Sequence, residues 1–204
     1  MPDDDIYFTI NGKYEGLFKD KGSKFMACVF PFEDETKLKD LIEETKSLYP
    51  KARHYCYAYQ IGVSGDHYRA NDDGEPSGSA GKPILNVILS KKLTNVLIVV
   101  ARYFGGTLLG VPGLINAYKS ASLIALEDAD IITRYVREVY LFRFTFEKMN
   151  EIMRVVKENE LKVLSQTYDD LCGLEVEIRQ SMVSKLLARI EDIREIEAGY
   201  LRTI

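Results

Sequence analysis

Residues 96–129 constrain this chain more than any other stretch. The apolar, β-branched run from Val96 to Val100 reads as a buried strand, and Arg102 and Tyr103 close it. Four glycines follow within nine residues, Gly105, Gly106, Gly110 and Gly113. Apolar residues then recur at Leu114, Ile115, Tyr118, Ala121, Ala125 and Ala129, which is helical spacing. The segment is therefore a strand, a glycine-rich loop and a helix. Glycines let backbone N–H groups approach a ligand, and a helix N-terminus adds partial positive charge, so an anion such as phosphate suits the loop. The spacing is not that of the dinucleotide fingerprint, and no Gly-Lys-Ser/Thr closes it as in a P-loop. The same glycines equally serve a tight turn with close helix–strand packing. Chemistry alone leaves both uses open.

Charge sharpens the interest of this region. The chain of 204 residues carries a formal net charge of −4, so it is not basic throughout. Yet no acidic residue falls between Glu75 and Glu127, whereas Lys82, Lys91, Lys92, Arg102 and Lys119 do. Apolar burial explains missing carboxylates but not five retained basic side chains, so an electropositive surface is expected here. The acidic start, Met1-Pro2-Asp3-Asp4-Asp5, is unlike a signal peptide's basic n-region. The longest uncharged run, Tyr103 to Tyr118, is too short and too broken by glycine and proline to span a bilayer. Cys28, Cys56 and Cys172 are far apart, suggesting neither disulfides nor a zinc site. A cytoplasmic chain is the expectation, with no membrane partner.

Along the chain, Ile6–Ile10 and Lys13–Phe18 flank Asn11-Gly12, a strong hairpin signal. Lys24–Pro31 reads as a third strand. Asp34 to about Tyr49 reads as a helix with Leu38, Leu41, Ile42, Thr45 and Leu48 on one stripe. His54–Ile61 and His67–Ala70 are strands, and Asp72–Gly81 is rich in turn residues. Ser79 is placed to cap a helix running to about Lys91. After Ile131–Arg137 comes strand Glu138–Phe146, with Tyr140, Phe142, Phe144 and Phe146 on one face. Helix Met149–Asn159, strands Leu161–Tyr168 and Gly173–Arg179, a helix capped by Ser181, and strand Ile196–Leu201 follow. That β-α-β-β-α-β order is the ferredoxin-like split arrangement. An α+β chain of two domains, 1–132 and 133–204, is expected.

Three motifs in register resemble one family. Arg102-Tyr103-Phe104-Gly105-Gly106 with Leu109-Gly110 and Gly113-Leu114-Ile115-x-Ala117-Tyr118 is one. Asp72-Asp73-Gly74-Glu75-Pro76-Ser77-Gly78-x-Ala80-Gly81-Lys82-Pro83 and Ala52-Arg53-His54-Tyr55-Cys56 are the others. Together they are similar to the YigZ/IMPACT family across essentially the whole chain. Pro112 stands where that family usually has glycine, Asn116 where a basic residue is common, and Asn71 for a frequent serine. The resemblance implies an N-terminal α/β sandwich like that of a ribosomal protein's second domain, translation-factor domain IV and the GHMP kinases. It implies a C-terminal domain like translation-factor domain V. Eukaryotic relatives carry a further N-terminal RWD domain with a regulator-binding role, and that role is not expected of a chain beginning at the hairpin.

The candidate anion- or nucleic-acid-binding set is Arg53, His54, Lys82, Arg102, Tyr103, Gly105, Gly106, Gly110, Gly113 and Lys119. Asp72, Asp73 and Glu75 form an acidic loop that either holds a magnesium ion or supplies a base, or is simply a stiff turn. Arg102 either grips phosphate or pairs with Asp73 or Glu75. Tyr55, Tyr57 and Tyr59 share a strand face, which serves base stacking or, more commonly, a core. His54 and Cys56 share the opposite face, spaced as a thiolate–imidazolium pair would be, without a third orienting group.

No catalytic set, metal or cofactor is assigned on this basis. The expected function is non-catalytic binding of nucleic acid or the ribosome in the regulation of translation, with a possible protein partner at the C-terminal domain. The alternative is an enzyme or binder acting on a phosphorylated small molecule through the glycine-rich loop.

Overall fold

The computed structural model describes residues 5–204, so the acidic start at Met1–Asp4 lies outside the described residues. They form a mixed α/β structure with five α-helices and three antiparallel sheets. Two compact units are present: Tyr7–Arg134, and Tyr135–Ile204 together with residues 5–6.

In the first unit, strands β2 (Tyr14–Asp20), β3 (Ser23–Pro31), β4 (His54–Ile61), β5 (His67–Asn71) and β6 (Val96–Tyr103) make one sheet in the order β2-β3-β6-β4-β5. The central β6 is covered on both faces, which is why its sequence is continuously apolar rather than alternating. Val96, Ile98 and Val100 point with Ala27, Val29, Cys56 and Ala58 toward helices α2 (Gly81–Ser90) and α3 (Gly110–Ala125). Leu97 and Val99 point with Phe30, Tyr57 and Tyr59 toward helix α1 (Leu38–Leu48), which a short 3₁₀ turn precedes. The tyrosine row is thus core. Tyr59 donates its hydroxyl to Glu35, and Tyr55 donates to the carbonyl of Tyr49 at 2.7 Å, so base stacking on that face is excluded.

Two local expectations are corrected. The Asn11-Gly12 signal does not make a hairpin, because β1 (Ile6–Ile10) pairs with β7 (Ile131–Tyr135) instead of β2. Asn11 donates its backbone N–H to the carbonyl of Asp130 at 3.0 Å, fixing that ribbon. Ser79 does not cap α2 either. Its hydroxyl donates to the carbonyl of Pro76 at 2.6 Å, and the first N–H groups of α2 go to Asp72.

The second unit runs β8 (Arg137–Phe144), α4 (Met149–Glu158), β9 (Lys162–Tyr168), β10 (Cys172–Arg179), α5 (Gln180–Glu191) and β11 (Ile196–Thr203). The sheet order is β11-β8-β10-β9. Phe142, Phe144, Leu174, Val176 and Ile178 pack with Ile152, Val156, Leu186 and Ile190 into a single core. Phe146 does not continue that face, because β8 ends before it and it is exposed.

Ser181 is also not the cap of α5. Its own N–H donates to Asp5 Oδ2 at 2.9 Å, and Asp5 accepts from Arg179 Nε and a second guanidinium nitrogen at 2.8 Å each. The Arg179 guanidinium, with Ser181, holds the Asp5 carboxyl well below the usual carboxylate range despite its burial. A carboxyl whose folded pKa is depressed adds stability at pH values above its unfolded pKa, near 4. That contribution is lost as pH falls from there toward the folded value. Asp5→Asn trades the charge-assisted bonds from Arg179 for neutral ones and should therefore lower stability by on the order of 1–2 kcal/mol at neutral pH. In urea unfolding of the two proteins, the difference should shrink steadily below about pH 4.

Candidate functional site

The site grows from one row of cross-strand neighbours at the end of the sheet. Phe25 of β3, Arg102 of β6 and His54 of β4 are direct register partners, and all three face α2 and α3. Beyond β5, the chain turns sharply at Asp73 (φ 41°) and Gly74 (φ 84°) and brings Glu75 over Arg102. Arg102 Nη1 donates to Glu75 Oε1 at 2.5 Å, and the Tyr118 hydroxyl of α3 donates to the same oxygen at 2.8 Å. His54 Nε2 lies 4.0 Å from that oxygen. Arg102 is 6% exposed and the Glu75 side chain 3%, so this ion pair is buried and would be costly if left incomplete. The alternative of Arg102 as partner of Glu75 is the one the geometry adopts.

The acidic loop is a structural clasp. Asp72 Oδ1 accepts from the N–H groups of Ala80 and Gly81 at 3.0 and 2.8 Å, and Oδ2 from Gly78 at 2.8 Å. That anion satisfies orphan donors at the positive end of α2. Asp73 Oδ2 accepts from the N–H of Tyr55 at 2.6 Å, and its carbonyl accepts from His54 Nδ1 at 2.7 Å. The three carboxylates are turned to three different partners rather than to a common point. Among the described residues no cluster of three or more His, Cys, Asp or Glu is placed to hold a metal ion.

Cys56 sits beneath this network. Its Sγ lies 3.0 Å from the carbonyl of Asp72 and 3.3 Å from the Tyr118 hydroxyl. Burial pushes its thiol pKa far up, as burial does for the Tyr118 hydroxyl, so both stay protonated and Cys56 is not an activated nucleophile.

A cavity of about 330 Å³ opens over these groups. His54, Glu75 and Arg102 form its polar floor, and Arg53, exposed, stands at its edge. Pro76, Phe104, Leu108, Leu109, Val111 and Leu114 supply apolar walls. Leu108 is 82% exposed, an unusual position for a leucine unless the rim meets something apolar. Gly110 and Val111, the first residues of α3, also line the cavity, and Leu109 before them offers no side-chain cap. Residues of the acidic loop (Glu75, Pro76) and of the glycine-rich loop (Phe104, Leu108, Leu109, Gly110) thus line one cavity.

The remaining candidates divide. Gly105 packs so closely on the β2–β3 turn that an added Cβ would lie 2.0 Å from the Gly22 carbonyl carbon, and its N–H donates to Ser23 Oγ at 3.1 Å. Gly106 and Gly110 have φ of 89° and 71°, conformations that favour glycine. Gly113 lies against Leu109. Tyr103 points to the α1 side and donates to the carbonyl of Pro50 at 3.0 Å. Lys82 and Lys119 are exposed and do not line the cavity. Sequence analysis missed Phe104, Leu108 and Val111 as site residues. Their signal was apolar side chains in a glycine-rich loop without periodicity.

Residues 21–126, just over half of the chain, match the Impact N-terminal domain. The chain belongs to the IMPACT family. It is 29% identical over 202 residues to IMPACT family member YvyE of Bacillus subtilis, covering 96% of this chain and 93% of that one. It is 28% identical over 174 residues to IMPACT family member YigZ of Escherichia coli, covering 84% and 85%. A crystal structure of a hypothetical protein shares the fold, with a TM-score of 0.75 at 23% identity over 97% of this chain and 98% of that one. All the residues of the cavity fall inside the matched segment.

The buried pair makes a stability prediction. Arg102→Ala leaves the Glu75 carboxylate without its cation and should cost about 3–5 kcal/mol. Replacing both, Arg102→Met with Glu75→Leu, should recover a large part of that loss. Urea unfolding of the wild type, the single variant and the double variant measures both.

Proposed function

We propose that this IMPACT family protein is a non-catalytic nucleic-acid- or ribosome-binding protein that acts in the regulation of translation. The observation that carries this reading is the acid-free segment from Pro76 to Leu126. It folds around a built cavity and leaves Lys82, Lys91, Lys92 and Lys119 exposed. Asp72 and Asp73 are taken up by backbone N–H groups of the loop, of α2 and of β4, and burial keeps the Cys56 thiol protonated, which supports a binding role for this cavity. The β-α-β-β-α-β order of the second unit supports a ferredoxin-like domain, residues 133–204, as a separate docking module for a protein partner. A first domain of residues 1–132 completes that division. The family and the fold class also favour a cytoplasmic setting, and among the described residues no helix is long and apolar enough to cross a membrane.

Arg102 is not the free phosphate grip of this surface, because its guanidinium is held by Glu75. Arg53 and Lys82 take that role, since both are exposed at the cavity end of the sheet and of α2. Lys91 and Lys92 lie at the far end of α2, about 15 Å away. Titrating single-stranded RNA at several salt concentrations tests the assignment. Arg53→Ala and Lys82→Ala should each reduce the slope of log affinity against log salt by roughly 0.7, and Lys91→Ala should leave it unchanged. A chain that binds neither RNA nor ribosomal particles at low salt contradicts the reading.

A further inference from the structure

We infer that the cavity under the glycine-rich loop is a nucleotide site, and that its floor selects bases carrying an exocyclic amine. This rests on the nucleic-acid reading only for the source of the nucleotide, a strand or a free mononucleotide. The chemistry of the site stands on its own groups.

Among the described residues, the side-chain hydrogen bonds of Glu75 fall on Oε1, which takes Arg102 Nη1 and the Tyr118 hydroxyl. Oε2 takes no hydrogen bond among the described residues, in a side chain that lines the cavity. The His54 ring donates from Nδ1 to the Asp73 carbonyl, which can only accept, and its Nε2 lies 4.0 Å from Glu75 Oε1 on the same floor. Arg102 Nε–H is buried without a partner, in a side chain 8% exposed that lines the same cavity. A buried donor without a partner costs free energy that a ligand acceptor recovers, and an unpaired carboxylate oxygen in the same cavity lining favours a donor next to that acceptor. The complement is a group presenting amine donors next to an acceptor, as the Watson–Crick edges of cytosine and adenine do.

The rest of the cavity fits the remainder of a nucleotide. Phe104, Leu109, Val111 and Leu114 supply flat apolar walls for one ring system, and 330 Å³ lies at the small end of ligand pockets, roughly 300–1,000 Å³. The uncapped first turn of the 16-residue α3 and the exposed Arg53 stand at the cavity for a phosphate.

The test titrates the full chain with CMP and UMP, which differ at the amine or carbonyl of one ring position, and with a short single-stranded RNA. CMP should bind more tightly than UMP by roughly tenfold or more. In Glu75→Gln, Arg102 and Tyr118 still demand an acceptor at the Oε1 position. The amide NH₂ is thereby fixed where Oε2 was, and the preference should level or reverse toward UMP. Should that variant fail to fold, Phe104→Ala, at an exposed rim position, should weaken CMP by roughly 5- to 150-fold through lost stacking. No saturable binding of either mononucleotide at millimolar concentration, or equal binding of both by the wild type, overturns the inference. RNA binding that is unaffected by Phe104→Ala, without mononucleotide binding, overturns it while leaving the nucleic-acid reading intact. Selective CMP binding with no RNA binding supports the site and removes the strand as its source.

Discussion

The contact between Arg102 and Glu75 organises the first unit. One end of it is fixed by the central strand, and the other by a turn that only residues tolerant of positive φ can make. Tyr118 ties the same carboxylate to α3, so strand, loop and helix meet at one oxygen atom. A buried charge pair is weak as a source of net stability but severe when broken, and it therefore specifies geometry more than it adds energy. The apolar layers on both sides of β6 provide the stability, and the ion pair decides where the two loops rest.

Sequence reasoning reaches the elements whose evidence is local and periodic. The continuous apolar run of β6, the glycine-rich loop, the stripe of α3 and the order of the second unit all follow from spacing along the chain. It fails where a distant group takes over a local role. Ser79 precedes α2 and Ser181 lies in the first turn of α5, but Asp72 and Asp5 bring negative charges to those helix ends and take their N–H groups. Asn11-Gly12 has the chemistry of a hairpin, yet β1 finds its partner 120 residues later in the chain, in β7. Neither substitution has a signature in the adjacent sequence.

The candidate site was legible in the same uneven way. Arg102, His54 and Glu75 were singled out from charge and motif; the sheet register sets His54 beside Arg102, and the turn at Asp73 and Gly74 brings Glu75 to them. The apolar rim was not, because exposed leucine and phenylalanine in a loop look like core residues until the loop is seen to leave them outside. Burial also changes the meaning of the residues that were found. Arg102 reads in sequence either as a phosphate grip or as a partner of Asp73 or Glu75, and the fold holds it against Glu75 with its Nε–H buried and without a hydrogen-bond partner.

We infer that the floor built on Glu75 and Arg102 receives a ligand. The most direct measurement is an NMR titration of the full chain with CMP, following backbone amides and the Arg102 Nε–H. Arg102 Nε–H and the amides of Gly110 and Val111 should shift together and saturate, while those of Lys91 and Lys92 should not move. Shifts confined to exposed lysines, with Arg102 Nε–H unchanged, would contradict it.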